Sequence, residues 1–264
     1  MPSSSPLRRI RVRPGGPGRT SYVVHVGSGL LPSLPGHLRK LVPAHRYFLV
    51  TDSNVGRLYG RRSLSRLRRA GLDAHLLAVP AGESSKTRET KKRLEDRILA
   101  LGGGRDSAVV ALGGGMISDL AGFTAATLHR GVPVVPVPTT LLAMVDAAIG
   151  GKTAVNHPRG KNLIGAFHPP RTVLADVATL ATLSEREFRS GLAEAVKTAV
   201  VGDAALFRRM EKSPAAILTR HPAALAGLVA ACCRVKARVV EADEREQNLR
   251  AVLNFGHTRG HALE

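Results

Sequence analysis

The stretch Ala108-Val109-Val110-Ala111-Leu112-Gly113-Gly114-Gly115-Met116-Ile117-Ser118-Asp119 decides the fold. Its opening apolar run has no polar alternation, which suits a strand buried on both faces, as in a parallel sheet between helices. The glycines then end the strand, and a helical pattern opens behind them. Strand, glycine turn and helix in succession form the unit of an α/β sheet, with the turn at the carboxyl end of its strand. Such glycines let backbone approach a pyrophosphate, and a helix start offers free N–H groups and a positive dipole end. A plain tight turn gives the same triplet. Asp119 is open to two readings, a helix cap or a partner for a ribose hydroxyl.

Outward from this unit the rhythm repeats. Strands are expected over 21–26, 46–51, 74–79, 107–112 and 132–137, with helices near 54–69, 86–100 and 116–129. This alternation predicts a Rossmann-like, mostly parallel sheet covered on both faces. Thr51-Asp52-Ser53-Asn54 follows one strand and Pro80-Ala81-Gly82-Glu83 another, with Lys86 starting the next helix. Each loop alone is ordinary turn chemistry. Three at one sheet edge describe a nucleotide crevice, although the G-x-G-x-x-G spacing is absent.

After 132–137 comes Pro138-Thr139-Thr140 and then a long stretch to about 171, read as a loop with little regular structure. It holds Gly150-Gly151-Lys152-Thr153-Ala154-Val155-Asn156-His157-Pro158 and Gly160-Lys161-Asn162-Leu163-Ile164-Gly165. Two lysines and Asn162 among glycines suit capture of phosphate or carboxylate; a flexible basic loop is the plainer reading. From about 179 the texture turns helical. Ser184 with Glu187 reads as a capping box for a helix running to about Val201 with Gly202 as its stop, and Pro222 sits in the first turn of another that ends near Glu241. A third pattern covers 249–264 and reaches Glu264 with no glycine or proline stop, so the protein is expected to continue. The domains expected are a loose, Ser-, Pro- and Gly-rich arm over 1–20, the α/β domain over 21–178 and an all-α domain over 179–264, incomplete at its end.

The chain has 264 residues, 44% of them hydrophobic, enough for a sizeable core. The net charge is +19, from 39 Lys and Arg against 20 Asp and Glu. That excess raises nucleic acid as a partner. The arginines are scattered, however, and aromatics make up only 3%, leaving little to stack on bases. A basic cleft for an anionic small molecule fits better than nucleic acid. No apolar run spans a bilayer and the start carries no signal core, so neither membrane nor secretion is expected. Cys232 and Cys233 are adjacent, cannot bridge without distortion and read as packing residues in a reducing, cytoplasmic compartment.

Glu194 stands among Leu192, Ala193, Ala195 and Val196, so its carboxylate is paired, ligated or turned to solvent. Lys197, three residues on, offers a simple ion pair. His257 and His261 are four apart and share a helix face with Arg250 and Asn254. His-x-x-x-His on a helix is a metal pattern, and satisfied core or surface histidines are its alternative. A carboxylate with imidazole nitrogens suits Zn²⁺ or a similar ion.

The runs Gly150–Pro169, Gly191–Lys197, Asp243-Glu244-Arg245-Glu246 and Leu253-Asn254-Phe255-Gly256-His257-Thr258-Arg259-Gly260-His261-Ala262-Leu263-Glu264 resemble the 3-dehydroquinate synthase family. The resemblance covers nearly the whole chain after the arm. It implies a Rossmann-like N-terminal domain with NAD⁺, a helical C-terminal domain with a divalent metal (Zn²⁺ or Co²⁺), and a homodimer. It implies the sugar phosphate 3-deoxy-D-arabino-heptulosonate 7-phosphate as substrate, on the shikimate route, with 3-dehydroquinate and phosphate as products. By motif, Asp52, Asn54, Gly82, Glu83, Lys86, Gly114, Gly115, Asp119, Thr139, Thr140, Lys161, Thr179, Leu180 and Thr182 resemble the cofactor contacts. Glu194 and His257 resemble two metal ligands. Arg130, Asp146, Asn162, Lys197, Lys236 and Asn254 resemble the substrate contacts. Lys152, Glu246, Arg250 and His261 resemble the catalytic residues, Lys152 and Arg250 in the substrate shell and Glu246 and His261 in the phosphate and proton-handling machinery.

The chain departs from the family pattern in places. The family's third metal ligand is a histidine in a His-Gly-Glu segment beyond Glu264. Arg259 stands where the family has an aromatic, and His168 where it has a tyrosine-like residue. Rival readings are another sugar phosphate cyclase, a plain NAD-dependent alcohol dehydrogenase and an NAD-binding fragment without turnover.

Overall fold

A computed structural model describes residues 6–15, 21–243, 252, 253 and 255. In chain order the regular elements are β1 Arg8–Val12, β2 Tyr22–Gly27, α1 Leu34–Leu41, β3 Arg46–Asp52, α2 Ser53–Val55, α3 Arg61–Arg69, β4 Ala74–Val79, α4 Arg88–Ala100, β5 Ser107–Gly113, α5 Gly115–Thr127 and β6 Val134–Pro138. There follow β7 Lys152–His157, β8 Gly160–Phe167, β9 Thr172–Asp176, α6 Glu185–Gly202, α7 Ala204–Lys212, α8 Pro214–Leu218 and α9 Pro222–Ala242. A π-turn over Gly56–Gly60 joins α2 to α3.

The central sheet has the order β4-β3-β5-β6, all parallel. Its middle strand β5 is buried at every position, as its continuous apolar run requires. Helices pack on both faces: Ile117, Leu120, Ala121 and Ala125 of α5 meet Phe48, Val50, Val109 and Ala111 on one side, and Leu34 and Leu38 of α1 meet Leu49 and Val110 on the other. Burying each large apolar side chain contributes roughly 1.5–3 kcal/mol. A second sheet, β1-β2-β9, continues the first where the Arg171 amide donates to the Val134 carbonyl at 3.0 Å. The helical half packs on this second sheet through α9, whose Ala226, Val229, Ala230, Cys233, Ala237 and Val240 join the core around Val24, Val26 and Val173.

The sequence reading needs three corrections. The stretch read as a loose arm contains β1, paired antiparallel with β2, with only Ile10 and Val12 turned inward. The long loop after β6 is largely the β7–β8 hairpin. Two helices fill the span between Gly202 and Pro222, to which the sequence reading assigned no element: Asp203 caps α7 by accepting from the Leu206 amide at 2.9 Å, and Pro214 opens α8. Ser184 caps α6, its Oγ accepting from the Glu187 amide at 3.3 Å, which is the Ser184 half of the expected capping box. Cys232 and Cys233 are free and buried, and burial pushes the Cys233 thiol up to about 12. No described helix is long and apolar enough to cross a membrane.

His25 on β2 is 7% exposed, packs edge-on to His37 at 5.3 Å, and has no hydrogen-bond partner for either ring nitrogen among the described residues. Burial, then the neighbouring His37 and Arg9, lower its pKa from 6.5 to about 4. The unfolded chain therefore takes up this proton first. The associated stability is whole above pH 6.5 and is lost as pH falls toward 4. Urea unfolding should show about 2 kcal/mol less stability from this group at pH 5 than at pH 7. His25→Leu should flatten that part of the profile; an unchanged slope in the variant would show that the imidazole is not the source.

Candidate active site

The four parallel strands end level. Asp52 pairs with Val79, Thr51 with Leu112, and Gly113 with Pro138. The loops that follow therefore lie along one edge. The chain leaves β3 to one side to make β4 and returns to the other to make β5, so the strand order reverses between β3 and β5. That reversal opens a crevice beyond the carboxyl ends of the strands.

Each loop has a local cause. Asp52 Oδ1 accepts from the amides of Asn54 and Val55 at 2.8 and 3.0 Å, turning the chain into α2. Gly82, at φ +109°, allows the turn into Glu83–Ser85. Gly114 caps α5 with no side-chain acceptor, so the helix start faces the crevice with N–H groups that an anion can use. A Cβ at Gly114 would lie 3.0 Å from the methyl of Thr140, so the glycine keeps these two loops close. Thr139 is 3% exposed, and its hydroxyl has no partner among the described residues.

A polar cluster joins this edge to the hairpin. Lys86 is 3% exposed, and its ammonium donates to Asp119 Oδ2 and to Asn162 Oδ1, both at 2.5 Å. Glu83 Oε1 lies 3.9 Å from the same nitrogen. Burial raises the Asp119 carboxyl pKa above its ordinary value, and Lys86 opposes that rise. Asp119 is thus neither a plain cap nor a solvated acid; it is the counter-ion of a buried lysine. Lys86 lies just before α4 and is not its first residue, because Thr87 caps that helix through the Thr90 amide at 3.1 Å.

Two further pairs lie in the helical half. Lys236 on α9 is 5% exposed and donates to the Asp146 carbonyl at 2.7 Å and to the Asp146 carboxylate. Lys197 and Glu194, three apart on α6, form an ion pair with both side chains 11% exposed, and Lys197 also donates to the Leu253 carbonyl. Thr179 and Leu180 are buried in a short 3₁₀ turn, and the Tyr59 hydroxyl reaches the Thr179 carbonyl at 3.2 Å and Thr182 Oγ1 at 2.7 Å. Sequence reasoning passed over Tyr59, a lone tyrosine on a helical pattern.

Lys152 and Lys161 are exposed on the hairpin and Asn54 on α2. Arg130 does not join the cluster. It lies past the end of α5, a helix of 13 residues, and so about 20 Å from the edge where α5 begins. His129, Arg130 and Gly131 all have positive φ there, at 49°, 68° and 123°. The predicted residues Glu246, Arg250, Asn254, His257 and His261 lie outside the described residues. Among the described residues no three His, Cys, Asp or Glu side chains gather to hold a metal.

Models of the 3-dehydroquinate synthase N-terminal and C-terminal regions match residues 76–190 and 191–264. A 3-dehydroquinate synthase from Desulforamulus reducens is 49% identical over 247 residues, covering 94% of this chain and 69% of the relative. Among solved structures, 2-deoxy-scyllo-inosose synthase complexed with carbaglucose-6-phosphate, NAD⁺ and Co²⁺ has a TM-score of 0.88 at 29% identity, covering 97% of this chain and 68% of the other. The 2-epi-5-epi-valiolone synthase of Streptomyces hygroscopicus subsp. jinggangensis, with NAD⁺ and Zn²⁺ bound, has a TM-score of 0.85 at 34% identity, covering 96% and 70%.

Proposed function

The chain belongs to the 3-dehydroquinate synthase family, and from that premise we propose that it converts 3-deoxy-D-arabino-heptulosonate 7-phosphate to 3-dehydroquinate and phosphate on the shikimate route. Its cofactors in this reading are NAD⁺ and a divalent metal, as in the solved cyclases. The observation that carries the reading is the buried Lys86, whose ammonium binds Asp119 at the nucleotide edge and Asn162 on the lysine-bearing hairpin at once.

The edge fits a dinucleotide. The start of α5 has no side-chain cap, Gly114 leaves no Cβ in the gap to Thr140, and the Thr139 hydroxyl awaits an acceptor or donor. NAD⁺ would supply the redox chemistry there, a hydride leaving carbon C5 as its hydroxyl loses a proton and being returned to C5 within the same turnover. In this reading Asp52, Gly82, Glu83, Lys86, Gly114, Gly115, Asp119, Thr139, Thr140, Lys161, Thr179, Leu180 and Thr182 hold the cofactor. Glu194 with His257 would hold the metal, which polarises the C5 oxygen when present.

The rest of the work falls to lysine, arginine and asparagine. Asp146 orients Lys236 and Glu194 orients Lys197, so both ammonium groups are placed before substrate arrives. With Lys152, Asn162, Arg250 and Asn254 they hold the phosphate and carboxylate ends. Fixing both ends limits ring opening and the aldol closure to productive geometries. The departing phosphate is itself a base for the proton beside the C5 ketone.

The test is phosphate release from the heptulosonate, with NAD⁺ and with or without Co²⁺ or Zn²⁺. Metal-dependent release with no net NADH is the expected result. Net NADH would instead mean a dehydrogenase, and bound NAD⁺ without turnover a binding fragment; either outcome overturns the proposal. Sedoheptulose 7-phosphate and glucose 6-phosphate in the same assay test the other cyclase branches, which should not be used.

A further inference from the structure

The β7–β8 hairpin breaks register at one residue. Pairs run regularly from Lys152–Phe167 to Val155–Ile164, and then His157 pairs with Gly160, so that Asn156 alone stands opposite Lys161, Asn162 and Leu163 and the two extra residues of the bulge lie on β8. A bulge frees a backbone N–H from the ladder and re-aims a side chain. Both happen here. The Asn156 amide donates to the Lys86 carbonyl at 2.8 Å. Its side-chain Nδ2 donates to Glu83 Oε1 at 2.7 Å, and its Oδ1 accepts from the Asn162 amide at 3.0 Å.

We propose that Asn156 is a positioning residue that locks the Glu83–Lys86 turn to the hairpin, so that the nucleotide edge and the anion-binding lysines move as one unit. The contacts close a ring: Asn156 holds Asn162, Asn162 accepts from Lys86, and the Lys86 carbonyl accepts from Asn156. Asn162 sits at φ +59°, a left-handed conformation that asparagine tolerates and that the bond from its own amide to Asn156 supports. A primary amide carries a donor and an acceptor on separate atoms, so Asn156 can donate to the Glu83 carboxylate and accept from a backbone N–H together. Lys152 begins the same strand and Lys161 precedes Asn162, so slack at the bulge reaches both. The consequence for ligand binding rests on the reading that this edge takes NAD⁺; the ring itself does not.

The test uses the full chain. Amide hydrogen exchange of the cofactor-free protein reads the ring directly. Asn156→Ala should speed exchange in 82–87 and 160–163 while α9 stays protected, and should raise the NAD⁺ dissociation constant about tenfold by calorimetry. Asn156→Asp should be worse, since it sets a carboxylate against Glu83. Asn156→Asp with Glu83→Gln restores the bond with the donor reversed, and should bind NAD⁺ better than Asn156→Asp alone. Unchanged local exchange in Asn156→Ala, or exchange raised across the whole chain with no rescue by the reversed pair, overturns the proposal. If the wild-type chain does not bind NAD⁺, the functional reading fails, and the exchange data still decide the ring.

Discussion

Lys86→Met is expected to destabilise the chain by about 3 kcal/mol at pH 7.5 and to remove measurable NAD⁺ binding. The lysine is 3% exposed and neutralises Asp119, whose carboxyl burial already disfavours as an anion. Removing one partner of a buried pair typically costs about 3–5 kcal/mol, because the other charge stays behind. Here the remainder can escape by taking a proton. With the folded carboxyl pKa above the unfolded one, the penalty is present at high pH and is relieved as pH falls through the raised value. The single variant should therefore lose less stability at pH 5.5 than at pH 7.5. Adding Asp119→Leu should restore most of the stability, since an apolar pair of similar volume often replaces a buried ion pair at no net loss. It should not restore NAD⁺ binding. Urea unfolding at both pH values, with calorimetric titration of NAD⁺, separates the two effects. A single variant as stable as wild type would mean that the pair is not buried in solution.

The sequence made the central sheet legible because β3, β5 and β6 are buried runs that advertise themselves without any partner. The crevice followed, since each run is succeeded by glycine, serine or threonine at the same end. The elements that escaped are those whose burial depends on something distant. In β1 only Ile10 and Val12 face inward, among three arginines and next to a stretch rich in glycine and proline, so its alternation is too short to stand out. In β8 most positions are exposed, and its two glycines and Lys161 read as loop. Asn156 was in view within a quoted motif, yet its role comes from a register break that exists only once the strands pair. Arg130 shows the reverse: a motif placed it with the substrate contacts, and the length of α5 puts it at the other end of the sheet. Glu194 was read as paired, ligated or solvated, and it is paired with Lys197 in a mostly buried setting.

Gly191→Ala is expected to cost about 1–3 kcal/mol, the usual penalty of overpacking, and to reduce turnover further than that loss explains. A Cβ at Gly191 would lie 2.5 Å from the Leu142 amide nitrogen, 2.6 Å from Leu141 Cβ and 3.0 Å from the Leu141 carbonyl carbon. Backbone atoms cannot swing aside as a side-chain tip can, so α6 itself has to move. About one and two turns along α6 stand Glu194 and Lys197, and the segment it would be pushed from leads into the π-turn Ala143–Ala147 that carries Asp146 and, through it, Lys236. A single methyl therefore separates the two oriented ammonium groups, and a displacement of a fraction of an ångström is enough to spoil a geometry in which both ends of a substrate are held. The pushed segment directly follows Thr139 and Thr140, which hold the cofactor in this reading, so the NAD⁺ dissociation constant should rise somewhat while kcat falls by more. Ile217→Ala is the control: that side chain is 8% exposed on α8, and its loss opens a cavity costing a few kcal/mol without forcing α6 from Leu141. If the two variants lose turnover only in proportion to stability, the close approach at Gly191 serves packing alone and does not set the spacing of the site.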